Sequence, residues 1–183
     1  MHSQIRNYAT SCLNCKIQNA IFHRKDRLGG HLSASVPRSS WSLDCAPSIN
    51  AKDGGRWSIT IAVDDCSKLV TMGVLENLNS DAVAKWVTER ILGSYGKPDM
   101  IRTDHGREFQ GKFTELLHTL GIEHRITRTH SPWTNGRAER TVRTIKSMIK
   151  RCISTAPPLD WRELIPFINN TINSSISKST GIS

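Results

Sequence analysis

No stretch of this 183-residue chain stays apolar for the roughly 20 residues that a membrane-crossing helix needs. The first residues also lack the apolar core of a secretory signal. Cysteine is sparse and odd in number: the five residues Cys12, Cys15, Cys45, Cys66 and Cys152 show no disulfide-framework spacing. These absences predict a soluble protein of a reducing intracellular compartment, without a membrane partner. No internal repeat and no low-complexity tract interrupts the chain. Acid is also in short supply. There are 16 Asp+Glu against 25 Lys+Arg, a formal net charge of +9. That excess suits a polyanionic partner, most simply nucleic acid, although a generally basic soluble domain fits the charge equally well.

The length accommodates one full domain with a sizeable core and a little more. Residues 1–20 hold Cys12-Leu13-Asn14-Cys15 after a helix-like stretch, and 21–40 form a polar linker punctuated by Gly29-Gly30 and Pro37. From Trp41 the texture changes. Trp41-Ser42-Leu43-Asp44-Cys45 reads as a short strand, Lys52-Asp53-Gly54-Gly55 as a turn, and Trp57 to Asp64 as an alternating, β-branched second strand. Lys68 to Leu75 continues as a third. Ser80-Asp81 is expected to cap a helix that ends near Ser94-Tyr95-Gly96. A strand closing on Asp104, a helix from Gln110 to Leu120, a strand from Ile122 to Ile126 and two further helices complete the chain. The order β-β-β-α-β-α-β-α-α predicts an α/β fold of RNase H-like type, a mixed five-stranded sheet with helices on both faces.

Three carboxylates fall at the ends of these elements. Asp44 lies on the first strand, Asp104 at the end of the fourth, and Glu139 near the start of a helix opened by Ser131-Pro132-Trp133-Thr134-Asn135-Gly136. Carboxylates converging in this way can hold two hard divalent cations about 3.5–4 Å apart, a device for phosphodiester chemistry. On the Glu139 helix, Ala138, Val142, Ile145, Ile149 and Cys152 form an apolar stripe. Glu139, Arg143, Lys146 and Lys150 form a second stripe that borders it. One acid followed by three cations could bind metal at one end and follow a phosphate backbone beyond it, with Lys146 exposed. A solvated face with i,i+4 pairs is the alternative. Asp64 and Asp65 are expected to shape the turn into Ser67 through Asx-type hydrogen bonds. Glu108 and Glu115 are expected to favour a helix start.

Order and spacing together resemble the catalytic core of retroviral and retrotransposon integrases, the D,D-35-E group. The segments are Trp41-Ser42-Leu43-Asp44, Ala62-Val63-Asp64-Asp65-Cys66-Ser67-Lys68, Arg102-Thr103-Asp104-His105-Gly106-Arg107-Glu108-Phe109 and His130 through Arg140. A tail from Asp160-Trp161 through Asn173 to Ser179-Thr180-Gly181 is similar to gypsy-type long-terminal-repeat elements. The resemblance covers residues 41–183 and implies that Asp44, Asp104 and Glu139 are the catalytic, metal-binding triad. Mg²⁺ is the implied ion and Mn²⁺ its substitute. Asn135, Arg143, Lys146 and Lys150 become DNA-contacting positions. The implied reaction uses one site twice: water cuts near the element's 3′ end, then the new 3′-hydroxyl attacks target DNA. The implied partners are the element's DNA ends, the target DNA and further copies of the chain. Action on chromosomal DNA implies the nucleus, with a cytoplasmic phase.

The chain departs from the family pattern in places. The interval from Asp104 to Glu139 is one residue shorter than the namesake spacing, Trp133 replaces a usual glutamine, and His105 stands where Asn or Arg is commoner. None of these removes a carboxylate. Cys12 and Cys15 resemble the second half of a His-His-Cys-Cys zinc domain, but tetrahedral zinc needs four ligands. His2 is too close, and His23 and His31 lie on the wrong side. Residues 1–20 therefore read as a truncated remnant, in which the pair is either two free thiols or part of an incomplete Zn²⁺ site. The family's C-terminal domain would follow Ser183. Two other readings stay open: a domesticated or decayed core acting as a non-catalytic nucleic-acid-binding or interaction module, and a ribonuclease H. The segment from Asn135 to Arg140 and the upstream CxxC favour the integrase.

Overall fold

The computed structural model describes residues 36–51, 53–127, 143, 145–147, 149, 151 and 160–174. Strand β1 (Ser40–Asn50) runs antiparallel to β2 (Arg56–Asp64), which runs antiparallel to β3 (Val70–Leu75). The first turn closes with Gly54 at φ 80° and the Gly55 N–H on the Asp53 carboxylate at 2.9 Å, a conformation that glycine adopts without a Cβ penalty. The register of β1 shifts between Ala46 and Ile49, across Pro47, which has no N–H to give the ladder. Strand β1 runs well beyond the short strand expected at Trp41–Cys45.

Helix α1 (Ser80–Val87) passes through a π-helical turn, Thr88–Leu92, and a last turn, Gly93–Tyr95, before Gly96 ends it at φ 85°. Its N-cap is Asn79, whose side chain accepts the Ala82 N–H at 2.9 Å. The predicted cap at Ser80 is thus displaced by one residue. The Ser80 hydroxyl donates instead to the Gln110 carbonyl and accepts the Phe113 N–H at 2.8 Å. This ties α1 to the start of α2 (Lys112–Thr119). Strands β4 (Met100–Thr103) and β5 (Glu123–Ile126) add in parallel, giving the order β3-β2-β1-β4-β5. Helix α3 (Trp161–Asn173) closes the described chain.

Strand alternation feeds two cores. Trp41, Leu43, Ala62 and Ile101 face α1 and α2, where they meet Val83, Trp86, Phe109, Phe113 and Leu117. Ala46, Ile59, Ile61, Val63, Val70 and Met72 face the other way, onto Ile145, Ile149 and α3 residues Trp161, Ile165 and Ile168. The apolar stripe predicted for the Glu139 helix is buried at Ile145 and Ile149. Asn173 locks α3 to the edge strand: its amide accepts the Val70 N–H and donates to the Val70 carbonyl, both at 2.8 Å. The pair satisfies backbone groups that a bare edge would leave open. The mixed five-stranded sheet with helices on both faces is the predicted architecture. Among the described residues no helix is long and apolar enough to cross a membrane.

Candidate active site

The parallel pairing of β1 with β4 sets Trp41 beside Ile101 and Ser42 beside Arg102. Asp44 and Asp104 each lie two residues further along, on the sheet face that carries the 145–149 helical segment. Period-two alternation puts Ser40, Ser42 and Asp44 on this face together. Asp104 follows the last residue of β4, where its carboxylate accepts the Gly106 N–H at 2.9 Å and folds the turn back. It is exposed. Asp44 is two-thirds covered: its side chain is 33% exposed. Burial raises its pKa above the usual carboxylate value; contact with Lys146 opposes that shift, and the nearby charge of Asp104 adds to it.

Lys146 is the cation of the site. Its Nζ lies 2.8 Å from Asp44 Oδ2 and donates to the Cys45 carbonyl at 3.1 Å. Sequence periodicity places Lys146 on a stripe bordering the core, and its side chain is expected to be exposed. In the structure its side chain is only a third exposed, because Ile145 and Ile149 seat the helix deeply. Arg143, one turn earlier, is exposed. Cys45 is no candidate nucleophile, since burial pushes its thiol up to about 12.

The two acids at the end of β2, Asp64 within it and Asp65 just beyond, divide their work. Asp64 builds the expected turn, accepting the Ser67 N–H at 2.9 Å, the Ser67 hydroxyl at 2.5 Å and the Arg38 N–H at 3.0 Å. Asp65 does something different. It is buried, accepts Ser40 Oγ at 2.5 Å and Ser42 Oγ at 2.7 Å, and pairs with Arg102 Nη1 at 3.2 Å. It thereby fastens β1 to β4 two residues before Asp44 on one strand and just before Asp104 at the end of the other. A second support lies beneath Asp104. The Thr103 hydroxyl donates to the Asp104 carbonyl at 2.8 Å, so His124 Nε2, 2.9 Å away, supplies the hydrogen to Thr103 Oγ1.

Glu108 lies in a 3-10 turn, Arg107–Phe109, and Glu115 in the first turn of α2, where it pairs with Lys112 at 3.0 Å. Among the described residues no group of three or more His, Cys, Asp or Glu side chains forms a metal centre. Glu139, the third predicted ligand, lies outside the described residues. So do Asn135, Lys150 and the Cys12/Cys15 pair.

The integrase core domain model matches residues 34–132, a span that holds Asp44 and Asp104. The chain belongs to the integrase core domain family. The Tf2-3 and Tf2-4 transposon polyproteins of Schizosaccharomyces pombe are each 22% identical to this integrase core over 183 residues. The match spans 98% of this chain but 14% of each polyprotein. Among solved structures, the simian T-cell lymphotropic virus intasome in complex with PP2A regulatory subunit B56 gamma aligns at a TM-score of 0.72 with 20% identity. It covers 100% of this chain and 65% of that one. The HTLV-2 integrase catalytic core in complex with magnesium, in a trimeric form, aligns at 0.63 with 22% identity over 82% of this chain and 95% of that one. These likenesses establish the RNase H-like fold of the integrase core.

Proposed function

We propose that this integrase core carries out divalent-cation-dependent phosphoryl transfer on the DNA of a retroelement. The observation that carries the reading is the delivery of Asp44 and Asp104 by adjacent parallel strands, with a cationic group already seated on Asp44. Two neighbouring carboxylates are hard oxygen donors of the kind that Mg²⁺ and Mn²⁺ take, and Glu139 would complete the set. Bound there, such ions stabilise charge on the attacking and leaving oxygens of a phosphodiester.

The protein residues supply position. Asp65 holds β1 and β4 in register, and the Gly106 N–H and the Thr103–His124 pair fix the turn that carries Asp104. In the first reaction a water oxygen bonds to phosphorus near the element's 3′ end, and the 3′-oxygen leaves as a hydroxyl. In the second that hydroxyl attacks a target phosphodiester and another 3′-oxygen leaves. Arg143 would face the DNA, with Asn135, Lys146 and Lys150 as further contacts. Joining two ends to one target calls for several copies of the chain, and the HTLV-2 core was solved in dimeric and trimeric forms. The place of action would be the nucleus.

Joining exchanges one phosphodiester for another, so the same chemistry can run in reverse on a branched product. The test incubates the chain with a branched duplex oligonucleotide and Mg²⁺ or Mn²⁺, and reads resealed and released strands. Resealing by the wild type and none by Asp104→Asn is expected. Equal resealing by both, or none by a folded wild type with either ion, removes the reading.

A further inference from the structure

The group best placed to act as a cation at Asp44 belongs to the chain itself. Lys146 Nζ contacts Asp44 Oδ2 at 2.8 Å and the carbonyl of the next residue, Cys45, at 3.1 Å. An ammonium has three N–H donors, of which these two contacts among the described residues use two. Its helix is anchored by Ile145 and Ile149, each 2% exposed, while the lysine side chain stays a third exposed. The backbone is thus fixed and the long stem keeps room to turn outward.

The geometry points to Lys146 as the internal counter-ion of the metal site: it holds Asp44 until a divalent cation takes that carboxylate, and the displaced ammonium then becomes available to a DNA phosphate. The inference rests on the proposed reading of Asp44 and Asp104 as metal ligands. An ammonium and a dication in contact with one carboxylate oxygen repel each other at short range, where Coulomb energies are large even at a high effective dielectric. Occupancy of Asp44 Oδ2 is therefore competitive. Coupling of this kind is reciprocal. A cation that frees Lys146 strengthens DNA binding, and a phosphate that draws Lys146 away strengthens cation binding by the same factor. The core would thus take metal weakly alone and firmly once DNA is in place.

The test titrates Mg²⁺ into the 183-residue chain by calorimetry without DNA, then measures duplex affinity with and without Mg²⁺. It uses wild type, Lys146→Met, Lys146→Gln, Asp104→Asn and Lys112→Met, the last removing a cation paired with Glu115 on α2. Melting curves establish that each variant is folded. Loss of the partly exposed Lys146–Asp44 pair is expected to tighten Mg²⁺ binding roughly two- to fivefold in both Lys146 variants. That gain should persist at about 0.5 M salt, where longer-range effects are screened. Lys112→Met should leave Mg²⁺ affinity nearly unchanged. The Mg²⁺-driven gain in duplex affinity should be present in wild type and absent in Lys146→Met. Unchanged or weaker Mg²⁺ binding by both Lys146 variants, with binding still lost in Asp104→Asn, overturns the counter-ion role and leaves the metal reading standing. No Mg²⁺ binding by wild type or any variant overturns both.

Discussion

Asp65 and Arg102 form a buried ion pair, Oδ2 to Nη1 3.2 Å, at the point where β1 and β4 are about to deliver Asp44 and Asp104. The pair is 4% and 11% exposed, and Asp65 takes two serine hydroxyls as well. Replacing one partner of such a network leaves the other charge buried and uncompensated.

Asp65→Asn is therefore expected to cost about 2–4 kcal/mol, below the full cost of breaking a buried pair because the amide keeps one acceptor for a serine. Urea unfolding monitored by tryptophan fluorescence reads the loss. An unchanged midpoint would mean that the network does not hold the two strands together.

Asp104→Asn should behave in the opposite way. Asp104 is exposed, its amide replacement keeps an acceptor for the Gly106 N–H, and its charge adds to the burden on Asp44. Melting temperature in metal-free buffer should hold or rise while Mg²⁺-dependent cleavage and joining disappear. Activity at the wild-type level would remove Asp104 from the site.

Gly73 lies on the face of β3 that meets α1, and a Cβ there would come within 2.1 Å of Trp86 Nε1. The indole is rigid and almost wholly buried, so it cannot move aside cheaply. Gly73→Ala should destabilise the fold by about 1–3 kcal/mol, the usual cost of overpacking. A thermal melt at or above wild type would contradict the fit.

Burial lowers the pKa of His124 below its ordinary value. Between that folded value and the unfolded value of about 6.5, the unfolded chain binds more protons, so stability rises with pH through this window. On acidification stability should fall from about pH 6.5 until the folded value is passed, then level off. This component should vanish in His124→Leu, at the expense of the Thr103 hydrogen bond. Denaturant midpoints between about pH 5 and 7.5 for both proteins test the sign. An equal slope in the variant would place the titration elsewhere.

The sequence by itself determined the element order, the two-faced sheet and the position of Asp104 at a strand end; Asp44 was expected near the end of a short strand and lies instead in the middle of β1. Alternation at Trp57–Asp64 and the apolar period through Ile145 and Ile149 are local patterns, readable without knowing what packs against them. The helix cap was misplaced by one residue, because Asn79 and Ser80 are both good caps and only the approach of α2 claims the Ser80 hydroxyl. Asp64 could be read as a turn acid from Ser67 nearby. The same reading fails for its neighbour Asp65, because its partners Ser40, Ser42 and Arg102 come from other strands. The pairing of Lys146 with Asp44, across 101 residues from its second contact at Cys45, was likewise invisible. Helical periodicity fixes which residues share a stripe. How deeply that stripe sinks against a sheet, and which charge it meets there, is decided only when the two faces pack.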